Sequence, residues 1–252
     1  MNLSDITPLI LTRDEEPNIE RTLERLRWAS DVVVVDSFST DRTVEITRRF
    51  PNVRVLQRAF DEHAQQWTFG LQQVRTPWVL ALDADYVVPE ALVRELETLE
   101  APPNVRGFRA SFLYAVRGKP LRGSLYPPRT VLAATAHATF WQDGHTQRIA
   151  VDGDVTDLRT PIVHDDRKSF ARFVERQRTY MRQEAEKIRH ADPRALSVSG
   201  RLRKLIVVAP FAVLFHTLFV KGLILDGLAG WRYVWERFVA ELILSREMLR
   251  RR

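Results

Sequence analysis

The sequence predicts an α/β protein with a doubly wound, mostly parallel sheet, and three observations support this fold class. Apolar, β-branched runs alternate with helical patterns through the first hundred residues, which is typical of parallel sheets. Residues 32–35 are continuously apolar, as expected for a strand buried on both faces. Polar residues follow several of these runs, at the strand ends where ligands bind in such sheets.

Strands and helices are expected in alternation up to residue 100. Apolar runs predict strands over residues 6–12, 31–36, 53–56 and 78–82. Helix-start chemistry and apolar periodicity predict intervening helices that end near residues 29, 50, 74 and 100. Short strands are expected from 105 to 164, then a charged helix over 167–189 and a basic, apolar tail over 201–252.

The composition excludes several kinds of site. None of the 252 residues is cysteine, so disulfides, thiolate metal sites and cysteine nucleophiles are excluded. Any bound metal ion must therefore be held by carboxylate, imidazole or phosphate groups. The apolar run near the N-terminus is short and has no basic segment before it, so we expect no signal peptide.

Charge is distributed unequally along the chain. Residues 167–252 carry 19 lysines and arginines against 8 acidic residues, whereas residues 1–166 carry 19 against 24. An acidic region that binds a phosphorylated ligand usually needs a divalent cation, whereas a basic, apolar region suits an anionic membrane surface. Nucleic acid is a less favoured partner, because large apolar blocks interrupt the basic residues. We therefore divide the chain into an α/β domain over 1–166 and a basic helical extension over 167–252.

Acidic residues follow two of the predicted strands. Asp36 ends the most apolar strand, where a carboxylate can accept hydrogen bonds from a base or a ribose hydroxyl. Asp83 and Asp85 leave the strand over 78–82, and such a pair reaches one cation only where the strand ends and the chain turns. Two carboxylates suit Mg²⁺ or Mn²⁺ bridged to a diphosphate. Capping of the following helices is the alternative role for these acids.

Residues 5–100 resemble the family 2 glycosyltransferases. The resemblance lies in TRDE at 12–15, in VVVVDSFSTDRT at 32–43 and in WVLALDADY at 78–86. It implies the nucleotide-sugar-binding A-type fold, inverting transfer and a nucleotide-diphospho-sugar donor. The implied nucleotide contacts are Thr12, Glu15, Asp36 and Asp83, and the implied metal ligand is Asp85. Asp14 and Ser37 depart from the residues common in the family, so the base preference stays open.

A weaker resemblance, through PIVHDDRKSFARFVERQRTYMRQEA and LILDGLAGW, is to small bacterial enzymes that add sugars to the lipopolysaccharide core or to related envelope glycans. Several of them have His-Glu where this chain has His145 and Thr146, and threonine cannot replace a glutamate base. Inverting transfer needs a group that takes the acceptor proton. Asp143 and His145 are the candidates, with Asp143 favoured and an ordinary turn role as its alternative. His164 is expected to be a third metal ligand or a cap of the next helix.

The tail contains a long apolar segment over residues 205–225. Its length permits a membrane span, but Pro210, His216 and Lys221 favour a helix that lies in the interface or packs on the body. An apolar stripe with helical spacing follows at Trp231, Val234, Trp235, Phe238 and Leu242. Such a stripe fits a core, a dimer seam or an interfacial face, and the two tryptophans beside an arginine-rich end favour membrane contact. These features predict peripheral or interfacial attachment to the cytoplasmic face of the inner membrane.

Together these patterns predict a metal-dependent inverting glycosyltransferase that acts on a lipid-linked or cell-envelope saccharide. Transfer to a polyprenyl phosphate is an alternative, because that acceptor is already an anion and needs no base. A non-catalytic nucleotide-binding or membrane scaffold is the other alternative, favoured by Thr146. The sugar, the nucleotide base and the oligomeric state stay open.

Overall fold

The computed structural model describes residues 1–143, 146–192 and 198–250. The chain forms two compact units. The first unit comprises Met1–Leu113 and Tyr126–Arg167, and the second comprises Tyr114–Leu125 and Lys168–Arg252. The sequence-based division between 166 and 167 lies next to the boundary after Arg167, but it does not anticipate that residues 114–125 group with the C-terminal helices.

Strands dominate the first unit, and helices dominate the second. The strands are β1 (Ile6–Thr12), β2 (Val32–Asp36), β3 (Val53–Gln57), β4 (Trp78–Asp83), β5 (Tyr86–Val87), β6 (Val105–Ala110), β7 (Phe112–Val116), β8 (Lys119–Pro120), β9 (Arg129–Ala134), β10 (Ala138–Asp143), β11 (Thr146–Val151), β12 (Asp154–Asp157) and β13 (Ile162–His164). The helices are α1 (Ile19–Glu24), α2 (Thr43–Thr47), α3 (His63–Leu71), α4 (Glu90–Thr98), α5 (Phe170–His190), α6 (Val198–Arg203), α7 (Val208–Phe215) and α8 (Gly227–Leu249).

The main sheet confirms the predicted fold class. Its strand order is β12-β6-β9-β4-β1-β2-β3, and β4, β1, β2 and β3 run parallel to one another. Since the chain proceeds from β1 to β2 and β3 on one side and then returns to β4 on the other, the strand order reverses between β1 and β4. Ligands of doubly wound sheets bind at this switch point, beyond the carboxyl ends of the strands.

The strand register aligns the predicted polar residues. Thr12 of β1 lies beside Asp36 of β2, and Leu11 of β1 lies beside Asp83 of β4. The carboxyl ends of these three neighbouring strands therefore reach the same edge of the sheet, as the sequence predicts.

The continuous apolar run of β2 explains its central position. All four valines from Val32 to Val35 are fully buried. Val32 and Val34 face one apolar core together with α1 and α4, whereas Val33 and Val35 face a second core that includes Trp67 of α3. Burying a valine side chain contributes about 1.5 kcal/mol or more, so both faces of the strand stabilise the sheet.

Three helices are shorter than the sequence predicts. The helices expected to end near residues 29, 50 and 74 end at Glu24 in α1, Thr47 in α2 and Leu71 in α3. Phe38, in the loop between β2 and α2, has a φ of 55°, which is incompatible with a regular helix at that position. None of the predicted strand-end acids is seen to cap the helix that follows it: the backbone N–H of Thr43 at the start of α2 donates to Asp41 Oδ1, and Pro89 precedes α4 without a side-chain cap.

The second unit is built around the packing of α5 and α8. Helix α5 buries Met181, Ala185 and Ile188 against Leu244 of α8. Its N-terminus is capped by Ser169, whose side chain accepts a hydrogen bond from the backbone N–H of Arg172. The alternative that His164 caps this helix is therefore wrong, and the helix begins at Phe170 rather than at 167.

Hydrogen bonds explain why residues 114–125 belong to the second unit. The carboxylate of Asp226 accepts from the backbone N–H and from Nε of Arg122, at 2.9 and 3.1 Å. The Tyr233 hydroxyl accepts from the backbone N–H of Leu125 at 2.7 Å. These contacts join residues more than a hundred positions apart, which local sequence patterns do not reveal.

The apolar segment over 205–225 is broken into short pieces. Helix α7 continues as a wider helical turn over His216–Val220, and a 3₁₀ turn over Leu223–Asp226 follows Gly222. Gly222 has a φ of 69°, a conformation that glycine adopts at little cost. Among residues 1–143, 146–192 and 198–250, no single helix has the length and apolar composition to cross a bilayer, although Val208–Val220 and Leu223–Leu249, bent by 70°, have them jointly.

Candidate functional site

The candidate site begins at the carboxyl ends of β1 and β2. Thr12 Oγ1 donates a hydrogen bond to Asp36 Oδ1 at 3.0 Å, so two residues with predicted nucleotide contacts touch each other directly. Ser39 donates to Asp36 from its backbone N–H at 2.9 Å and from its hydroxyl at 2.5 Å. Gln57 Nε2 donates to Asp36 Oδ2 at 3.3 Å. Both carboxylate oxygens of this buried aspartate therefore organise the loop after β2.

A second set of hydrogen bonds joins this loop to the loop after β1. Asp14 donates its backbone N–H to Ser39 Oγ at 2.8 Å, and Asp14 Oδ1 accepts from the backbone N–H of Thr40 at 2.8 Å. Glu15 donates its backbone N–H to Thr43 Oγ1 at 2.7 Å, and its carboxylate accepts from Asn18. The structure thus brings Thr12, Glu15 and Asp36 together, with the Glu15 side chain directed to the start of α1.

Phe38 is an exposed aromatic residue at this edge that the sequence analysis missed. Its side chain is 55% exposed, although it lies only two residues after β2, whose residues are all buried. The neighbouring Ser37 is held on both sides, because its N–H donates to the Thr12 carbonyl and its hydroxyl accepts from Gln66. An aromatic residue between two polar positions after a buried strand is the signal that would have identified it.

The Asp-X-Asp segment begins at Asp83, the last residue of β4, and turns at residues 84 and 85. Three hydrogen bonds hold this turn: Thr22 donates to the Ala84 carbonyl at 2.7 Å, Asp165 donates its N–H to the Asp85 carbonyl at 3.1 Å, and His164 Nε2 lies 3.2 Å from Asp85 Oδ2. Because His164 of β13 pairs with Tyr86 of β5, the sheet register itself places this histidine beside Asp85.

Two tyrosines, of which Tyr86 is buried and Tyr126 half-buried, form a wall next to the two aspartates. The hydroxyls of Tyr86 and Tyr126 lie 2.5 Å apart. The centres of the Tyr126 and His164 rings are 4.6 Å apart. Burial, reinforced by the negative charge of Asp83, raises the pKa of both tyrosines above the ordinary value. Both hydroxyls are therefore neutral at physiological pH and can donate hydrogen bonds.

A cavity of about 330 Å³ opens beside Asp83. Its walls include Asp83 and Tyr86, the apolar pair Trp67 and Phe140, and Arg129. The Arg129 guanidinium lies 5.0 Å from the centre of the Tyr126 ring. The cavity therefore combines an acidic strand end, an aromatic wall and a half-buried cation, which suits a polar ligand that carries negative charge.

The residues at this edge can hold a divalent metal ion only together with oxygen atoms of a bound ligand. In the described part of the chain, no three histidine or acidic side chains cluster as a complete metal site. Asp83 and Asp85 each interact electrostatically with Tyr126 and with Arg129. Both carboxylates therefore lie near these two side chains. Mg²⁺ is commonly held by one or two carboxylates plus substrate phosphates, and Asp83 and Asp85 are the carboxylates available for such a role at this edge.

The predicted catalytic base is not placed by the structure. The backbone of Asp143 ends β10 and pairs with Thr146 of β11, whereas His145 and the Asp143 side chain lie outside the described residues. Both stay predictions. Tyr126 was missed by the sequence analysis, and the run Tyr-Pro-Pro-Arg before β9 is the only local signal for it.

Comparison with known proteins identifies relatives of the first unit. Residues 9–139 match the family model described as glycosyl transferase family 2. The chain is 30% identical over 112 residues to the lipopolysaccharide core biosynthesis glycosyltransferase LpsC of Rhizobium meliloti (strain 1021), a match that covers 42% of this chain and 41% of that protein. It is 32% identical over 100 residues to an uncharacterized glycosyltransferase of Rickettsia bellii (strain RML369-C), covering 39% of this chain and 34% of the relative. The matches thus span less than half of either relative.

A solved structure extends the similarity in fold. The mannosyltransferase PcManGT from Pyrobaculum calidifontis, in complex with GDP-Man and Mn²⁺, superposes with a TM-score of 0.53 at 18% sequence identity. The superposition covers 96% of this chain and 86% of the other. At this identity the likeness concerns the fold, and it agrees with the A-type fold expected from the sequence.

Proposed function

Because the chain belongs to glycosyltransferase family 2, we propose that it transfers a sugar from a nucleotide-diphospho-sugar to an acceptor by an inverting mechanism. The observation that carries this proposal is the alignment of Thr12, Asp36 and Asp83 at one sheet edge, beside a cavity of about 330 Å³. The GDP-Man and Mn²⁺ in the Pyrobaculum enzyme support a donor of this class.

In this proposal the nucleoside binds over the loops after β1 and β2. Asp36 holds the loop that presents Phe38, whose exposed ring offers a face on which a base can stack. Thr12 and Glu15 line the same edge. The diphosphate then extends towards Asp83 and Asp85, as the switch-point geometry favours.

Mg²⁺ or Mn²⁺ would be held by Asp83 and Asp85 together with the diphosphate, and when bound it offsets the charge of the departing nucleotide. His164, 3.2 Å from Asp85, orients that carboxylate or adds a ligand. Tyr86 and Tyr126 keep the wall of the site neutral and exclude water. Arg129 places a positive charge close to Asp83 and Asp85.

The acceptor proposed here is a lipid-linked or cell-envelope saccharide, in line with the named role of the Rhizobium relative. Its attacking hydroxyl must lose a proton, and Asp143 is proposed as the base. General-base catalysis contributes about 10²- to 10⁴-fold, so Asp143→Ala should lower kcat by at least about 10²-fold. Transfer that survives this change would favour a polyprenyl phosphate acceptor, which needs no base.

Donor binding is tested by thermal shift with UDP-, GDP-, CMP- and ADP-sugars, with and without Mn²⁺. A ligand at a hundred times its Kd stabilises the folded state by about 2.7 kcal/mol. Asp85→Asn should abolish the Mn²⁺-dependent part of the shift and the turnover, whereas Asp152→Asn, at an exposed position, should change neither. An unchanged Mn²⁺-dependent shift in Asp85→Asn would remove the metal site. Donor binding with no sugar release under any condition would favour the scaffold alternative.

A further inference from the structure

Helix α7 and the turn that follows it expose a row of large apolar side chains. Val208, Phe211, Phe215 and Phe219 are each more than half exposed. They recur every three or four residues and therefore lie on one side of the helix. Thr217 and Leu218, on the other side, are buried. The exposed row is thus the outer face of a helix whose inner face is packed.

Helix α8 has a matching exposed row. Leu228 is 89% exposed, and Trp231, Trp235 and Leu242 are between 42% and 53% exposed. Their spacing of three, four and seven residues again marks one helix face. In contrast, Val234 of the predicted apolar stripe is buried and belongs to the core. The stripe predicted from the sequence is therefore divided between the interior and the surface.

Ring contacts join the two rows into one surface, which we call the apolar face. The centre of the Phe238 ring lies 5.7 Å from the centre of the Phe211 ring of α7 and 5.8 Å from the centre of the Trp235 ring of α8. The ring centres of Phe215 and Phe219 are 4.9 Å apart. Soluble monomers rarely expose a continuous surface of large apolar side chains, and such surfaces usually mark interaction sites.

The charges around the apolar face are predominantly positive. Residues 198–225 contain four lysines and arginines and no acidic residue. The four acidic residues of 198–250 each form an ion pair with an arginine, namely Asp226 with Arg122, Glu236 with Arg232, Glu241 with Arg203 and Glu247 with Arg250. Lys204 and Arg246 are exposed. The surface therefore presents net positive charge beside apolar rings, which complements anionic lipid headgroups.

We propose that the apolar face docks the second unit onto the surface of an anionic bilayer. Lipid can reach only the outer side of α7 and α8, because their inner sides are packed within the unit. Helices with one apolar face and flanking cations insert shallowly at the level of the headgroups. Tryptophans such as Trp231 and Trp235 are favoured at this depth, since their rings are both apolar and polar.

The test measures vesicle binding by the full chain, without any donor or acceptor, so its outcome is independent of the proposed transferase activity. Flotation with vesicles of phosphatidylglycerol and phosphatidylethanolamine is compared with flotation with phosphatidylcholine vesicles. We expect stronger binding to the anionic vesicles, and binding that weakens as the salt concentration rises. Lys204→Glu should lower binding to the anionic vesicles several-fold.

Removing the aromatic rings tests the apolar contribution. Phe215→Ser combined with Phe219→Ser should lower vesicle partitioning at least about tenfold per ring. Phe60→Ser, at an exposed position in the first unit, is the matched control and should bind as the unchanged chain does. Since the replaced rings are exposed, circular dichroism should show an unchanged fold.

Fluorescence gives a second measurement that does not depend on these variants. Brominated lipids should quench the emission of the unchanged chain, and Trp231→Phe combined with Trp235→Phe should remove most of the quenching. Equal binding by the Phe215/Phe219 variant, or no preference for anionic vesicles, would overturn the proposal. So would a dimer in solution that loses its self-association in this variant while the unchanged chain binds no vesicles, because the face would then be covered by a second copy.

Discussion

Replacing Asp36 separates the structural work of this carboxylate from its proposed contact with the donor. The side chain is 1% exposed and accepts from Thr12, from Ser39 twice and from Gln57. Asp36→Ala removes every one of these acceptors and leaves the Ser39 N–H without its partner. Asp36→Asn keeps one oxygen for that N–H, while the Thr12 and Ser39 hydroxyls can rotate and accept from the new amide.

The expected costs follow from these contacts. A hydrogen bond to a charged group contributes about 1.5 to 3 kcal/mol, and a buried donor left without a partner costs about 1 to 3 kcal/mol. Because the bonds share one carboxylate they do not add fully, so Asp36→Ala should lower the free energy of unfolding by about 3 to 5 kcal/mol. Asp36→Asn should lower it by about 1 to 2 kcal/mol, since it loses the charge and keeps the shape.

Urea unfolding followed by circular dichroism measures both variants, with Asp152→Asn as the exposed control that should stay within about 0.5 kcal/mol. A loss below about 1 kcal/mol for Asp36→Ala would refute the network as a source of stability. Donor affinity, measured by the thermal shift described above, tests the proposed contact between Asp36 and the nucleoside. If Asp36 also accepts from the bound nucleoside, Asp36→Asn should weaken donor binding by more than its small change in stability explains.

Three further predictions rest on single contacts. Gly230→Ala should destabilise the second unit by about 3 kcal/mol, because a Cβ there would lie 2.0 Å from the Leu223 carbonyl oxygen; an unchanged Tm would contradict this contact. Thr22→Val should cost about 1 to 3 kcal/mol by leaving the Ala84 carbonyl without its donor, and urea unfolding measures it. Burial raises the pKa of Tyr126 above its ordinary value of 10.0, so its contribution to stability is present below pH 10 and is lost as pH rises further. Tyr126→Phe should therefore make the fall in unfolding free energy between pH 9 and pH 11 shallower, and an equally steep fall would contradict this.

The strands were the most predictable part of the fold, for a physical reason. A strand buried on both faces needs an unbroken apolar run, and β2 shows this run directly in the sequence. Strands β1 and β4 end at the predicted polar residues to within one position. The helices were less predictable, because their lengths depend on whether the flanking residues hydrogen-bond to the helix or to another loop. Ser39 illustrates this: serine before a helix is a common capping residue, but Ser39 bonds to Asp36 and Asp14 instead.

Long-range contacts account for most of what the sequence did not reveal. His164 reaches Asp85 from 79 positions away, and it does so because β13 pairs with the short strand β5. A histidine before two aspartates is compatible in sequence with a ligand or a cap, and only the strand pairing reveals that it lies beside Asp85. Tyr126 likewise joins Tyr86 across 40 positions. Neither pairing has a periodic pattern of its own.

The two acids of the Asp-X-Asp segment have different surroundings, and this difference bears on how a metal ion would be held. Asp83 lies on the wall of the cavity, whereas Asp85 is buried beside His164 and near the charge of Arg21. Alternate residues of a strand point to opposite faces, so a shared ligand requires the turn at residues 84 and 85, which Thr22 and Asp165 hold in place. In the proposed site, Asp83 would meet the diphosphate from the cavity wall, and Asp85, held by the turn and by His164, would complete the pair of metal-binding carboxylates. Weakening that turn through Thr22→Val should lower the apparent affinity for Mn²⁺ even though Thr22 itself has no role as a ligand.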